Sequence, residues 1–336
     1  MCFNMAMTSR EIVKSTIRFN YPDRLAFDLP EVYGSDFMFC GMAYSPDARP
    51  LKGTDEWGAA WNNIGDSFLG EVKKHPLENW NDFERLKIPD INEPARWEAL
   101  EGIREKAGDK FLVGYGLSIY ERIHFLRGLE NTWMDIYDAP GKLCKLLDIL
   151  LEMNLTTIDK YSKYGVDAYF FGDDWGLQNT LMISPSAFRE IWKPYYSKIF
   201  KAAHNAGMST MLHSCGYIVD IVEDFIEIGL DVLQIDQQEN MGLELIGDRF
   251  GGRITFYSPV DIQKTMFYET TENIRLYCRN MCKYLGRKEG GFIAKWYGDP
   301  IGAGHSQEAL DAMCDEFLKI SKEKQREYGR SHTGGF

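Results

Sequence analysis

Short apolar runs rich in β-branched and aromatic residues alternate with stretches of helical periodicity, and this alternation constrains the fold more than any other feature of the sequence. Eight runs read as strands: 24–29, 37–44, 110–116, 168–172, 209–214, 232–236, 253–257 and 291–296. Amphipathic segments lie between the later ones. Residues 139–164 place Leu143, Leu146, Leu147, Leu150, Leu151 and Leu155 at helical spacing, and 185–206 and 218–228 behave alike. Such alternation implies a parallel sheet, and eight strands in 336 residues close most economically into a (β/α)8 TIM barrel, here one domain over 1–336. The first two runs could instead pair as an N-terminal hairpin. Residues 54–85, with Trp57, Trp61, Phe68, Trp80 and Phe83 among polar neighbours, break the rhythm and are expected to form an insertion capping one barrel mouth.

A formal net charge of -12 without any dense Lys/Arg run argues against nucleic acid as a partner. No stretch is long and apolar enough for a spanning helix, so no membrane partner is expected, and residues 1–10 lack the apolar centre of a signal peptide. Cys2, Cys40, Cys144, Cys215, Cys278, Cys282 and Cys314 are odd in number and scattered, which suits a reducing cytoplasm. Cys278 and Cys282 sit at helical spacing and read as packing. Cys40, Cys144 and Cys314 read as small core residues. Aromatics make up 14% of the chain. That content suits a pocket for an apolar or aromatic substrate, although most of the rings are expected to fill the barrel core.

In a barrel of this kind, reacting groups sit where strands end. The run 209–214 leads into His213-Ser-Cys215-Gly216. Residues two apart on a strand point the same way, so His213 and Cys215 converge. One imidazole nitrogen and one thiolate make half of a tetrahedral zinc site. The run 168–172 ends in Asp173 and Asp174 beside Trp175. Paired carboxylates there can bind a metal, orient a histidine or act as a general acid; otherwise one caps the following turn and the other is solvated. Asp236 ends the run 232–236 and is either a third ligand or a helix N-cap. Asp299 and His305 follow the last strand and are candidates for a fourth ligand. Glu121 follows the run 110–116, with Ser118, Tyr120, Arg122 and His124 nearby, and is a candidate polar group in the mouth.

The stretches His213-Ser-Cys-Gly, Ile-Glu-Ile-Gly-Leu-Asp231, Ile235-Asp-Gln and Phe250-Gly-Gly-Arg-Ile resemble the uroporphyrinogen decarboxylase superfamily. So do Thr8-Ser-Arg-Glu, Pro22-Asp-Arg and Gly172-Asp-Asp-Trp-Gly, and the likeness runs from about residue 8 to 320. The decarboxylases of that superfamily carry an Arg-Gln-Ala-Gly-Arg loop that clamps an acidic tetrapyrrole. Here Pro22-Asp-Arg is followed by Leu-Ala-Phe-Asp-Leu-Pro-Glu, which lacks the bidentate cations. His-x-Cys points instead to the cobamide-dependent methyltransferase branch, in which the matching His and Cys bind zinc and an acid at the position of Asp236 can join them.

Within that branch, the resemblance separates two reactions. Thiol-directed enzymes have a further Cys in the final strand's loop, whereas this chain reads Ala294-Lys-Trp-Tyr-Gly-Asp-Pro. The departure favours an O-demethylase, moving a methyl group from a methoxylated or methylated small molecule, methoxyaromatic by preference, to the cobalt of a corrinoid. No Asp-x-His-x-x-Gly corrinoid signature occurs, so the corrinoid is expected on a separate partner protein. The implied set is Zn2+ on His213, Cys215, Asp236 and Asp299 or His305. Zinc acts as a Lewis acid on an ether or alcohol oxygen, with Asp173, Asp174 or Glu121 as catalytic acid or orienting group. The alternatives are methyl transfer to a thiol or folate, a metal-free decarboxylase using Arg122, Arg127 and Lys295, and a non-catalytic binding module. The oligomeric state, a homodimer included, stays open.

Overall fold

The computed structural model describes residues 6–45, 53–63 and 70–333. All eight runs form strands: β1 Ala26–Asp28, β2 Phe37–Cys40, β3 Phe111–Tyr115, β4 Ala168–Gly172, β5 Ser209–His213, β6 Val232–Gln234, β7 Thr255–Ser258 and β8 Phe292–Lys295. They form one sheet in the order β1-β8-β7-β6-β5-β4-β3-β2, and every paired neighbour is parallel. The seam between β1 and β2 is drawn together by a bridge from Asp28 to Ser35 and by Asp36 N–H donating to Phe27 O at 2.9 Å. The architecture is a (β/α)8 TIM barrel. The hairpin reading of the first two runs gives way, because β1 bonds to β8 and β2 to β3. Only the turn between them makes antiparallel contacts.

The barrel interior is apolar. Ala26, Phe37, Phe111, Val113, Ala168, Met211, Val232, Tyr257 and Ile293 meet Ile12, Val13 and Ile17 from the helix Ser9–Ile17. That helix is started by a capping box, Thr8 and Glu11 each bonding the other's backbone. It closes the floor of the barrel, and each buried aliphatic contributes about 1.5–3 kcal/mol.

The surrounding helices match the periodicity closely: Pro140–Lys163 buries the leucine stripe and Val219–Glu227 follows β5. The stretch from Pro185 to Asn205 departs from a uniform α-helix, with a π turn at Phe188–Trp192. The insertion holds a three-stranded antiparallel sheet, Gly53–Thr54, Ala60–Asn63 and Gly70–Lys74, then a 3-10 turn at Trp80–Arg85. Phe68 and Cys2 lie outside the described residues. The sheet leans on the helix Tyr120–Arg127 just beyond β3: Trp61 meets Phe125 edge-on at 4.8 Å, and Asp55 pairs with Arg122 at 3.0 Å. This places the insertion beside the C-terminal mouth. Among the described residues, no helix is long and apolar enough to cross a membrane.

Candidate metal centre

β5 ends at His213, and the chain turns away through Gly216, whose φ of +77 is open to glycine at little cost. The alternation of the strand carries through to Cys215, so Sγ lies 3.2 Å from His213 Nε2. The neighbouring strand β4 delivers Asp173 and Asp174. Asp174 Oδ1 sits 3.3 Å from the same His213 nitrogen and accepts the Cys215 N–H at 2.8 Å. Among the described residues, Asp174, His213 and Cys215 form the one group of three such side chains whose donor atoms all lie within 4.8 Å of one another.

The charges in this cluster hold one another in place. Burial opposes a charged imidazole, but Cys215 and Asp174 outweigh it and raise the His213 pKa well above the usual range. Burial pushes the Cys215 thiol up, with His213 pulling against it. Burial also works against the Asp174 carboxylate, yet hydrogen bonds from His213 and Cys215 lower its pKa overall. The donor set fits zinc: one nitrogen, one sulfur and one carboxylate oxygen, with a fourth position left for a small molecule. A metal would replace the His213 proton as the partner of the two anions, so uptake releases protons. One atom falls outside the usual pattern. His213 Nδ1 is buried without the acceptor that normally braces a ligating histidine.

Asp173 points the other way and is fully buried. It accepts the N–H groups of Ile119, Tyr120 and Glu121 at 3.1, 2.8 and 2.9 Å and the Tyr196 hydroxyl at 2.7 Å. Burial pushes its pKa to about 6. It thereby fixes the start of the helix carrying Glu121. Trp175, stacked on Tyr120 at 3.7 Å, donates to the same Tyr196 oxygen and stiffens the arrangement.

Glu121 is held out of water and near Asp174 and Asp173, which pushes its pKa to about 8 and keeps it protonated at neutral pH. One turn on, burial drops His124 to about 3, and its Nε2 is buried without a partner. His124, named in the sequence only as a neighbour of Glu121, and Tyr297, whose hydroxyl feels Asp236, Cys215 and His213, stand beside the cluster. For His124, three-residue spacing from Glu121 on a helix was the available signal.

Asp236, Asp299 and His305 lie outside the three-residue cluster. Asp236 is sealed between Gln234 Nε2 at 2.5 Å and Lys295 Nζ at 3.4 Å. Asp299 accepts Gly302 N–H at 2.9 Å, and His305 Nε2 meets Ile262 O at 2.9 Å. The last two residues build the loop after β8. Tyr115, at the end of β3, stacks on Phe39 of β2 at 5.5 Å and leans on Phe170 in the middle of β4 at 6.0 Å, a half-open aromatic wall.

The family model "Uroporphyrinogen decarboxylase (URO-D)" matches residues 65–317. The chain belongs to this family. A uroporphyrinogen decarboxylase from Geotalea daltonii is 25% identical over 189 residues, 53% of this chain and 53% of that protein. A methylcobamide:CoM methyltransferase from Methanosarcina acetivorans is 23% identical over 172 residues, 50% of each. The chain spans about half the length of these curated relatives. Among solved structures, a methyltransferase from Methanosarcina mazei shares the barrel, with TM-score 0.68 and 17% identity over 93% of this chain and 99% of that one. The named relatives are thus enzymes of two kinds, a decarboxylase and methyltransferases.

The URO-D relatives make the cations Arg122, Arg127 and Lys295 informative. Arg127 is buried against Asp135 at 2.8 Å, Arg122 pairs with Asp55, and Lys295 faces Asp236. Each of the three already has a carboxylate partner.

Proposed function

We propose that the chain is a zinc-dependent methyltransferase that moves a methyl group from a methoxylated or methylated small molecule, methoxyaromatic by preference, to the cobalt of a separate corrinoid protein. The observation that carries this reading is the Asp174–His213–Cys215 cluster at the C-terminal mouth. These three residues would hold the zinc, with the buried Asp236 close enough to act on Cys215 through space. Bound there, the ion supplies Lewis acidity toward an ether or alcohol oxygen.

The remaining work falls to the chain. Phe39, Tyr115 and Phe170 receive the apolar body of the methyl donor. Glu121, protonated at neutral pH, gives its proton to the oxygen that loses the methyl group while the methyl group passes to the cobalt. Asp173 fixes the helix that aims Glu121. Decarboxylation of a polyanion is disfavoured, because Arg122, Arg127 and Lys295 are neutralised within the fold. Transfer in the other direction, from a methylcobamide to CoM, is what the name of the M. acetivorans relative states for that protein.

The test is metal content of the purified chain beside Cys215→Ala, followed by turnover of methoxyaromatics with a reduced corrinoid protein. About one zinc per chain, lost in the variant together with turnover, is expected. Full turnover without metal would overturn the reading. Methylation of a thiol with no methoxyaromatic turnover would reverse the direction.

A further inference from the structure

The N-terminal face of the barrel, opposite the metal cluster, holds a cavity of about 870 Å3. Its walls stand where β1 and β8 begin. Leu25 and Phe292 come from the strand starts, Tyr21 from the preceding loop and Ile320 from the last helix. Small-molecule sites have this size. Four cations, Arg24, Arg287, Lys288 and Lys324, face two carboxylates, Glu323 and Glu327.

The cations are not equivalent. Arg24 is committed to Asp36 through both terminal nitrogens, and Arg287 to the carbonyls of Tyr284, Gly286 and Gly247. Lys288 is exposed. Lys324 is partly sunk in the wall, and its side chain makes no hydrogen bond or ion pair among the described residues. Burial lowers its pKa, and Cys282, Asp23 and Glu289 act on it only through space. An ammonium placed so is destabilised until an anion meets it. The loop on the other side of the cavity carries the two non-glycine residues of positive φ among the described residues, Phe19 at 52° and Tyr21 at 48°. Tyr21 is held there by Glu289, through N–H to carbonyl at 2.8 Å and hydroxyl to carboxylate at 3.2 Å. Backbone strain of this kind persists where the surroundings fix it, as at ligand clamps.

We propose that this cavity is a second ligand site, for an organic carboxylate with an apolar body. Lys324 takes the carboxylate, and Tyr21, Leu25, Phe292 and Ile320 cover the body. The site is independent of the chemistry at the mouth.

The test is calorimetric titration of the full chain with octanoate, octanol and acetate. Octanoate is expected to saturate one site, while octanol (body without charge) and acetate (charge without body) do not. Lys324→Met is expected to weaken octanoate binding by about tenfold or more, with an unchanged or higher melting temperature that shows the fold intact. Cys215→Ala is expected to bind octanoate as the wild type does. Failure of octanoate to saturate would overturn the proposal. So would octanol binding equally well, unchanged affinity in Lys324→Met, or octanoate binding lost in Cys215→Ala.

Discussion

Gly176 and Gly216 touch backbone to backbone: a Cβ built on Gly216 would lie 2.3 Å from the carbonyl oxygen of Gly176. The loops leaving β4 and β5 cross at this point with no side chain between them, and Gly176 N–H donates to Cys215 O at 3.1 Å. The crossing presses Asp174 against His213 and Cys215.

A methyl group at the crossing should therefore separate the ligands. Gly176→Ala meets Tyr217 N at 2.4 Å without any φ penalty of its own. It is expected to destabilise the fold by about 1–3 kcal/mol and to lower zinc well below one per chain. Thermal melting and metal analysis of the same preparation check both parts.

Ligand identity can be separated by single variants. Asp174→Ala, His213→Ala and Cys215→Ala are each expected to lose most bound zinc, whereas Asp299→Ala and His305→Ala keep it. Metal content after dialysis against a weak chelator is the measurement. Zinc retained in Asp174→Ala but lost in Asp236→Ala would move the third ligand to β6.

Glu121 gives the metal-free protein a definite pH dependence. Its folded pKa of about 8 lies above the ordinary 4.5, so between those values the folded chain keeps a proton that the unfolded chain has released. Stability contributed by that proton is complete below the lower value and is lost as pH rises to the upper one. Glu121→Gln should gain stability relative to wild type steadily across that window in urea titrations. Added zinc should lower the Glu121 pKa and shrink the effect.

Arg127 offers a control that is structural rather than chemical. It is buried against Asp135 and donates to the carbonyls of Leu77 and Glu78 at 2.5 and 2.8 Å. Arg127→Met leaves a buried carboxylate unpaired and is expected to cost about 3–5 kcal/mol. Urea unfolding should report the loss, while zinc stays bound.

The barrel was legible because local periodicity and strand-end chemistry are written residue by residue. His213 and Cys215 could be paired from spacing on one strand. Asp174 could be suspected but not assigned, since its approach to Cys215 depends on two glycines 40 positions apart meeting in space. Asp236 satisfied the same strand-end logic, yet Gln234, two residues before it, and Lys295, 59 positions on, surround it, and the second contact does not follow from its own neighbours in sequence. The sheet at 53–74 was not legible as strands, because its short segments are largely exposed and polar and carry no strict alternation.

The helix Ser9–Ile17 makes the barrel a blind-ended vessel: with Ile12, Val13 and Ile17 filling its base, entry and exit share one opening. For a reaction that needs both a small molecule and a bulky protein at that opening, such a shape imposes a sequence of events. The small molecule must be seated before the protein docks, and the spent product cannot leave until the protein has gone. Turnover would then follow a compulsory order, with high concentrations of the proposed corrinoid partner acting as an inhibitor by trapping empty or product-filled vessels.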